Sequence, residues 1–193
     1  MNICVYGAAS TKIDGSYVKT VEEFGAQMAQ RGHSLVFGAG GHGLMGAAAR
    51  GVKSGGGKIT GVIPGFFRDE KIEAIYDECD ELIYTEDMRE RKAIMELKAD
   101  AFVVVPGGIG TFEEFFEILT LKQLGRHNKP IAIYNINGFY DNIEKVMYDA
   151  MNAKFIRSNC RTLYMIFSDV DELFAYVERS TPHNLTVHDL KDG

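Results

Sequence analysis

Short apolar runs alternate with amphipathic stretches from end to end of this 193-residue chain, and the inner runs are continuously apolar rather than apolar at every second residue. Together these patterns predict an α/β fold: a Rossmann-like, doubly wound parallel sheet in three α/β/α layers, whose inner strands are covered on both faces. Seven runs read as strands: 3–6, 35–37, 59–63, 82–84, 102–105, 131–134 and 163–167. Between them the spacing predicts helices. The first carries Val18, Val21, Phe24 and Met28 at three- and four-residue intervals. A second covers 88–98, and a third covers 111–124 with Phe112, Phe115, Phe116, Leu119 and Leu124; two more fall near 139–151 and 170–179. No repeat, linker or low-complexity stretch divides the chain. One domain is expected over 1–180, followed by a polar, aperiodic tail over 181–193.

Composition narrows the function. Lys and Arg number 21 against 27 Asp and Glu, a formal charge of −6, which argues against a nucleic-acid surface. No apolar run reaches the ~18 residues of a membrane span, and the first ten residues lack a basic-then-apolar leader, so a cytoplasmic protein is expected. Cys4, Cys79 and Cys160 are odd in number and widely spaced, which fits neither a disulfide framework nor a zinc site. The five histidines show no ligand spacing, so no metal is expected.

In a doubly wound sheet, ligands bind beyond the carboxyl ends of the strands. Three segments fall there: Gly7-Ala-Ala-Ser10, Gly38-Ala-Gly-Gly-His-Gly-Leu-Met-Gly46 and Pro106-Gly-Gly-Ile-Gly-Thr111. Two are rich in glycine, which lets successive N–H groups turn toward an anion at a helix start. A pocket for a phosphorylated small molecule follows, with Ser10 and Gly43 as candidate contacts. Gly38-x-Gly40-x-x-Gly43 matches the dinucleotide fingerprint, but the next strand ends in Val-Ile-Pro64 without the acid that would hold ribose hydroxyls, which disfavours a nicotinamide site. No P-loop motif is present.

Two further segments carry charge. Thr111-x-x-Glu114 reads as a capping box and, equally, as a carboxylate beside a phosphate-sized cradle. Near a helix N-terminus, Glu114 is expected to stay ionised. Arg89, Arg91 and Lys92 crowd the first turn of a helix, where the dipole disfavours cations; Asp87 paired with Arg91 at i,i+4 would relieve this, and so would a bound anion.

Met88-x-x-Arg91-Lys92 and Pro106-Gly-Gly-Ile-Gly-Thr-x-x-Glu114 together resemble the signatures of the Lonely Guy family, the cytokinin riboside 5′-monophosphate phosphoribohydrolases, whose members often carry the label of lysine decarboxylase. The likeness runs from Cys4-Val-Tyr-Gly through Gly61-Val-Ile-Pro64 to Gln123-Leu-Gly125, with Gly38-Ala-Gly40 standing where the family has three glycines. The resemblance implies hydrolysis of the N-glycosidic bond of an adenosine-type nucleoside 5′-monophosphate, without cofactor or metal, and a homodimer with sites near the interface. Carried over by motif, Arg91 and Glu114 form the catalytic pair. Glu73, Lys92, Gly107, Gly108, Gly110, Thr111, Glu113 and Thr120 bind the nucleotide. A carrier or sensor of the same fold, which holds a nucleotide or cofactor without cleaving it, is the alternative.

Overall fold

The computed structural model describes residues 1–70, 72–180 and 186–190. Seven strands form one sheet: β1 (Asn2–Tyr6), β2 (Ser34–Phe37), β3 (Ile59–Pro64), β4 (Glu81–Thr85), β5 (Ala101–Val104), β6 (Ile131–Tyr134) and β7 (Met165–Phe167). Every pairing is parallel and the order is β4-β3-β2-β1-β5-β6-β7. The chain winds outward from β1 to β4, then returns to the other side of β1 and winds outward again. The crevice at that reversal, between the ends of β1 and β5, is where such sheets place their ligands.

Helices cover both faces, and a short one, α3 (Gly65–Asp69), follows β3. On one side α1 (Gly15–Gln30), α2 (Gly43–Ser54) and α7 (Val170–Arg179) bury Phe24, Met28, Leu44, Val52 and Phe174 against Ile3, Val5, Leu35 and Phe37. On the other, α4 (Met88–Lys98), α5 (Ile109–Gln123) and α6 (Asp141–Asn152) bury Met95, Phe115, Ile118 and Met147 against Cys4, Tyr6, Phe102 and Val104. Both faces of the inner strands are thus apolar, which is why those strands read as continuous runs. The α/β/α expectation holds, and α4 spans the residues its spacing indicates.

Three local differences have physical causes. The sequence assigned no extent to α2, because its Gly- and Ala-rich residues from Leu44 to Ala49 are buried all round and leave no polar stripe to mark a helical period. A Cβ on Gly51 would sit 2.0 Å from the carbonyl oxygen of Glu22, so α1 and α2 touch backbone to backbone. The last strand is shorter than expected: Leu163 and Tyr164 are buried side chains leading out of a 3₁₀ turn (Ser158–Thr162), and pairing begins at Met165. In the expected tail, residues 181–185 and 191–193 lie outside the described residues. Val187–Leu190 form a short helix, α8, whose Leu190 is buried and whose carbonyl accepts from Gln123 Nε2 at 2.9 Å.

Candidate active site

A cleft of about 330 Å³ opens at the crevice between β1 and β5. Its floor is Gly7, Ala8 and Ala9 after β1, and its walls include Ser10, Glu73, Arg91, Gly108, Gly110, Thr111, Glu113 and Glu114. Eight of the residues singled out from sequence therefore meet in one place. Met45, Phe67 and Met88 complete the wall; Met45 and Met88 stand in the quoted segments without having been picked out, and Phe67 carries no motif.

Arg91 and Glu114 are the buried charges of the cleft. Their residues are 7% and 8% exposed, and Nη1 of Arg91 lies 3.7 Å from Oε1 of Glu114. Arg91 does not pair with Asp87 on the helix surface as the i,i+4 spacing suggested. Asp87 is the N-cap of α4 instead, its Oδ1 accepting from the amides of Arg89 at 2.8 Å and Glu90 at 2.9 Å. Arg91 turns inward, donates from Nε to the Val62 carbonyl at 3.2 Å, and lays its guanidinium over Gly38. A Cβ at Gly38 would fall 1.6 Å from Nη2 of Arg91. That glycine is required by a protein side chain.

Glu114 departs from the ionised state expected of it. Burial is the dominant influence and raises its carboxyl to about 7, against the pull of Arg91. The helix dipole keeps a carboxylate ionised in a solvated first turn, but α5 begins three residues earlier than the capping-box reading placed it. Its N-cap is Gly108, which has no side chain to offer, so Thr111 is not the cap. Thr111 is buried and its Oγ1 packs over Gly107, where a Cβ would come within 2.1 Å. The first amides of a fifteen-residue helix thus face the cleft without a side-chain cap, and the space above Gly108 and Gly110 is open.

The other candidates lie further back. Gly43 opens α2 with φ +59, and its amide-side neighbours crowd the first loop: Leu44 N donates to Ala8 O at 2.7 Å, and a Cβ on Gly43 would come within 2.4 Å of that oxygen. Gly43 therefore holds the cleft floor in place. Lys92 does not line the cleft; it is bound between Glu113 and Glu117, the latter at 2.8 Å. Thr120 is on the far side of α5, in a separate groove of about 400 Å³ with Phe116, Phe155 and Leu163. No lysine lines the cleft among the described residues. The buried lysine, Lys122, lies on α5 away from the cleft, where burial lowers its amine to about 8 and it donates to the Lys129 carbonyl at 2.8 Å. Among the described residues, no group of three or more His, Cys, Asp or Glu is placed to hold a metal, and no helix is long and apolar enough to cross a membrane.

A doubly wound sheet with an open helix start and a buried Arg–Glu pair at its switch point defines an α/β protein built to hold a small ligand there. The chain belongs to the family described as "Possible lysine decarboxylase", which it matches over residues 45–177, together with the plant cytokinin riboside 5′-monophosphate phosphoribohydrolases. It is 36% identical over 180 residues to the cytokinin riboside 5′-monophosphate phosphoribohydrolase LOG of Oryza sativa subsp. japonica, covering 93% of this chain and 74% of that one. The cytokinin riboside 5′-monophosphate phosphoribohydrolase LOG2 of Arabidopsis thaliana is 34% identical over 180 residues, covering 93% of this chain and 84% of that one. Among solved structures, the molybdenum cofactor carrier protein of Chlamydomonas reinhardtii superposes with a TM-score of 0.70 at 27% identity, covering 92% of this chain and 96% of that one. The molybdenum cofactor binding protein of Rippkaea orientalis, at 19% identity and a TM-score of 0.65 over 92% of this chain and 93% of its own, shares the fold.

Proposed function

We propose that the protein hydrolyses the N-glycosidic bond of adenosine-type nucleoside 5′-monophosphates, cytokinin riboside 5′-monophosphates among them, to free base and ribose 5-phosphate. The observation that carries this is the buried Arg91–Glu114 pair beside the uncapped start of α5. The amides at Gly108 to Thr111 suit a phosphate, since the helix dipole and unpaired N–H groups both favour an anion there. Cleavage leaves an oxocarbenium-like ribose. Glu114, with a carboxyl near 7, is partly ionised at neutral pH; as the carboxylate it stabilises positive charge at the sugar and takes a proton from the attacking water. Arg91, permanently charged and held at Val62 and Glu114, orients the sugar and keeps part of the Glu114 population ionised at neutral pH.

Carriage without cleavage would need the open helix start but not a pair of opposite charges buried at the reacting end, where desolvation costs several kcal/mol per ion. Decarboxylation of lysine through a pyridoxal Schiff base would need a lysine in the cleft, and the lysines described above face elsewhere. The same reading makes the protein a cytoplasmic homodimer. What supports the dimer is the outer face of the α4–α6 layer, where Leu97, Ile109, Phe116 and Phe155 are exposed. Thr120 also does not line the Arg91–Glu114 cleft of its own chain, so a contact from it to a nucleotide in such a cleft requires a second copy. Sedimentation at micromolar concentration checks this, and a single 21.4 kDa species would exclude it.

The deciding experiment is incubation with AMP and with isopentenyladenosine 5′-monophosphate, followed by chromatography for base and ribose 5-phosphate. Release of base from either is expected, and the ratio of rates sets the substrate. Tight binding with no release would make the protein a carrier.

A further inference from the structure

Of the charged residues lining the cleft, the mechanism above leaves Glu113 and Glu73 idle; Glu113 is paired with Lys92, and Glu73 is not. It sits on the stretch between β3 and β4, which is laid against the first glycine loop by backbone bonds. Gly41 N donates to Ala74 O at 2.7 Å, Tyr76 N donates to Ala39 O at 2.8 Å, and Gly40 and Ile75 form an antiparallel bridge. These bonds bring the Glu73 carboxyl over Gly40, where a Cβ would come within 2.2 Å of Oε1. That oxygen is buried and has no hydrogen-bond partner among the described residues. The ion pair with Arg91 goes to Glu114, and none is made by Glu73 among the described residues.

A carboxylate oxygen buried without a donor is costly, whereas a protonated carboxyl in the same place offers an O–H to an acceptor. Burial raises the Glu73 acid above the ordinary range. The groups that oppose this are Arg91, reaching across from α4, and more weakly His42 at the start of α2. A purine presents ring-nitrogen acceptors, and a purine leaves poorly unless one of them is protonated.

On the phosphoribohydrolase reading, we infer that Glu73 is a second catalytic residue of the cleft, the acid that protonates the departing purine. The C1′–N9 bond breaks with its electron pair passing into the ring, while the carboxyl proton of Glu73 moves to N7, so the base leaves neutral. The oxygen of water bonds to C1′, and its proton goes to the Glu114 carboxylate. Exchange with solvent returns Glu73 to the acid and Glu114 to the base. One water is consumed, and no oxidant or reductant is involved. The two carboxyls thus divide the work, Glu114 on the water side and Glu73 on the leaving-group side.

The test compares AMP with p-nitrophenyl β-D-ribofuranoside 5-phosphate, whose phenolate leaves without a proton. Glu73→Gln keeps the shape and removes the acid; its folding is checked by its melting transition. It is expected to lose on the order of 10²-fold in kcat on AMP, with under about 5-fold loss on the nitrophenyl substrate. Glu114→Gln is expected to lose comparably on both. Glu73→Asp, which keeps an acid on a shorter arm, should retain more AMP activity than the Gln variant. Equal losses by Glu73→Gln on the two substrates would mean that Glu73 holds the sugar, and undiminished AMP hydrolysis would mean that it does nothing; either overturns the assignment while leaving the hydrolase reading intact. Wild-type protein that cleaves neither substrate overturns both.

Discussion

The two glycine-rich loops look alike in sequence and work differently in the fold. In the first, Gly38 and Gly40 are cut back to seat the side chains of Arg91, which arrives from α4, and Glu73, which arrives from the β3–β4 stretch. In the second, Gly108 and Gly110 face open space at an uncapped helix start. One loop is small so that the protein can fit against itself, the other so that a ligand can approach. Glycine content alone does not separate these meanings; what lies opposite the missing Cβ does.

The contrast breaks most sharply at Gly38. Gly38→Ala puts a methyl where Nη2 of Arg91 lies, and the guanidinium must move. Displacing a charged group from the reacting end is expected to cost on the order of 10²–10³-fold in kcat, with much smaller change in KM. Wild-type kinetics from this variant would show that Arg91 does not act from its observed seat.

Glu114→Gln is next, with an expected loss of about 10²-fold in turnover and a gain in stability that depends on pH. A carboxyl raised to about 7 in the folded protein binds its proton more tightly than in the unfolded chain. Wild-type stability therefore falls as pH rises from the unfolded carboxyl range through about 7, a loss that the neutral amide avoids. At pH 8 the variant should melt higher than wild type by at least ~2–4 °C, equivalent to about 1 kcal/mol, and at pH 4 the difference should vanish. The same carboxyl sets the acid limb of kcat/KM, which should rise through about 7. Equal melting points at pH 8 would remove the burial argument.

The second loop answers to a gentler change. Gly110 is inside α5 with negative φ and open space beside it, so Gly110→Ala should stabilise the helix by up to ~1 kcal/mol. The new methyl should nonetheless raise KM for a nucleoside monophosphate about tenfold or more, since it enters the cleft. A variant that is more stable and binds equally well would end the phosphate role of this loop.

Ala39→Gly has the smallest effect. Ala39 holds φ +59, a left-handed conformation costing about 1–2 kcal/mol for a residue with a Cβ, while its buried methyl contributes roughly 0.8 kcal/mol. The net gain should stay within about 1 kcal/mol by chemical denaturation, with catalysis unchanged. Loss of activity would mean that this methyl, packed against the place of Gly61, helps set the first loop.

The legible parts of the molecule are those where one stretch of chain decides its own state. Phe24 and Met28 on α1, or the Val103–Val105 run ending in Pro-Gly-Gly, state their burial locally, and strands and helices follow. Helix α2 was not legible, since the run Leu44–Ala49 that opens it is buried on every side and shows no period. The site was legible as a set of residues but not as an arrangement. Lys92 and Arg91 are neighbours in sequence, yet one is held by Glu113 and Glu117 outside the cleft and the other is drawn inside over Gly38.

By itself the sequence determined the winding of the sheet, the loops at its carboxyl edge and the charges of Arg91 and Glu114 beside them, because periodicity and turn chemistry act over a few residues; Glu73 and Glu113 were placed there only by the family resemblance. Only the tertiary structure decided which of those charges are buried, that Asp87 caps α4 instead of pairing with Arg91, that α5 starts at an uncapped glycine, and that Glu114 is raised to about 7. Desolvation depends on what the rest of the chain places around a group, and Glu114 acquires its environment from Arg91 and the strands beneath it, which no window along α5 contains.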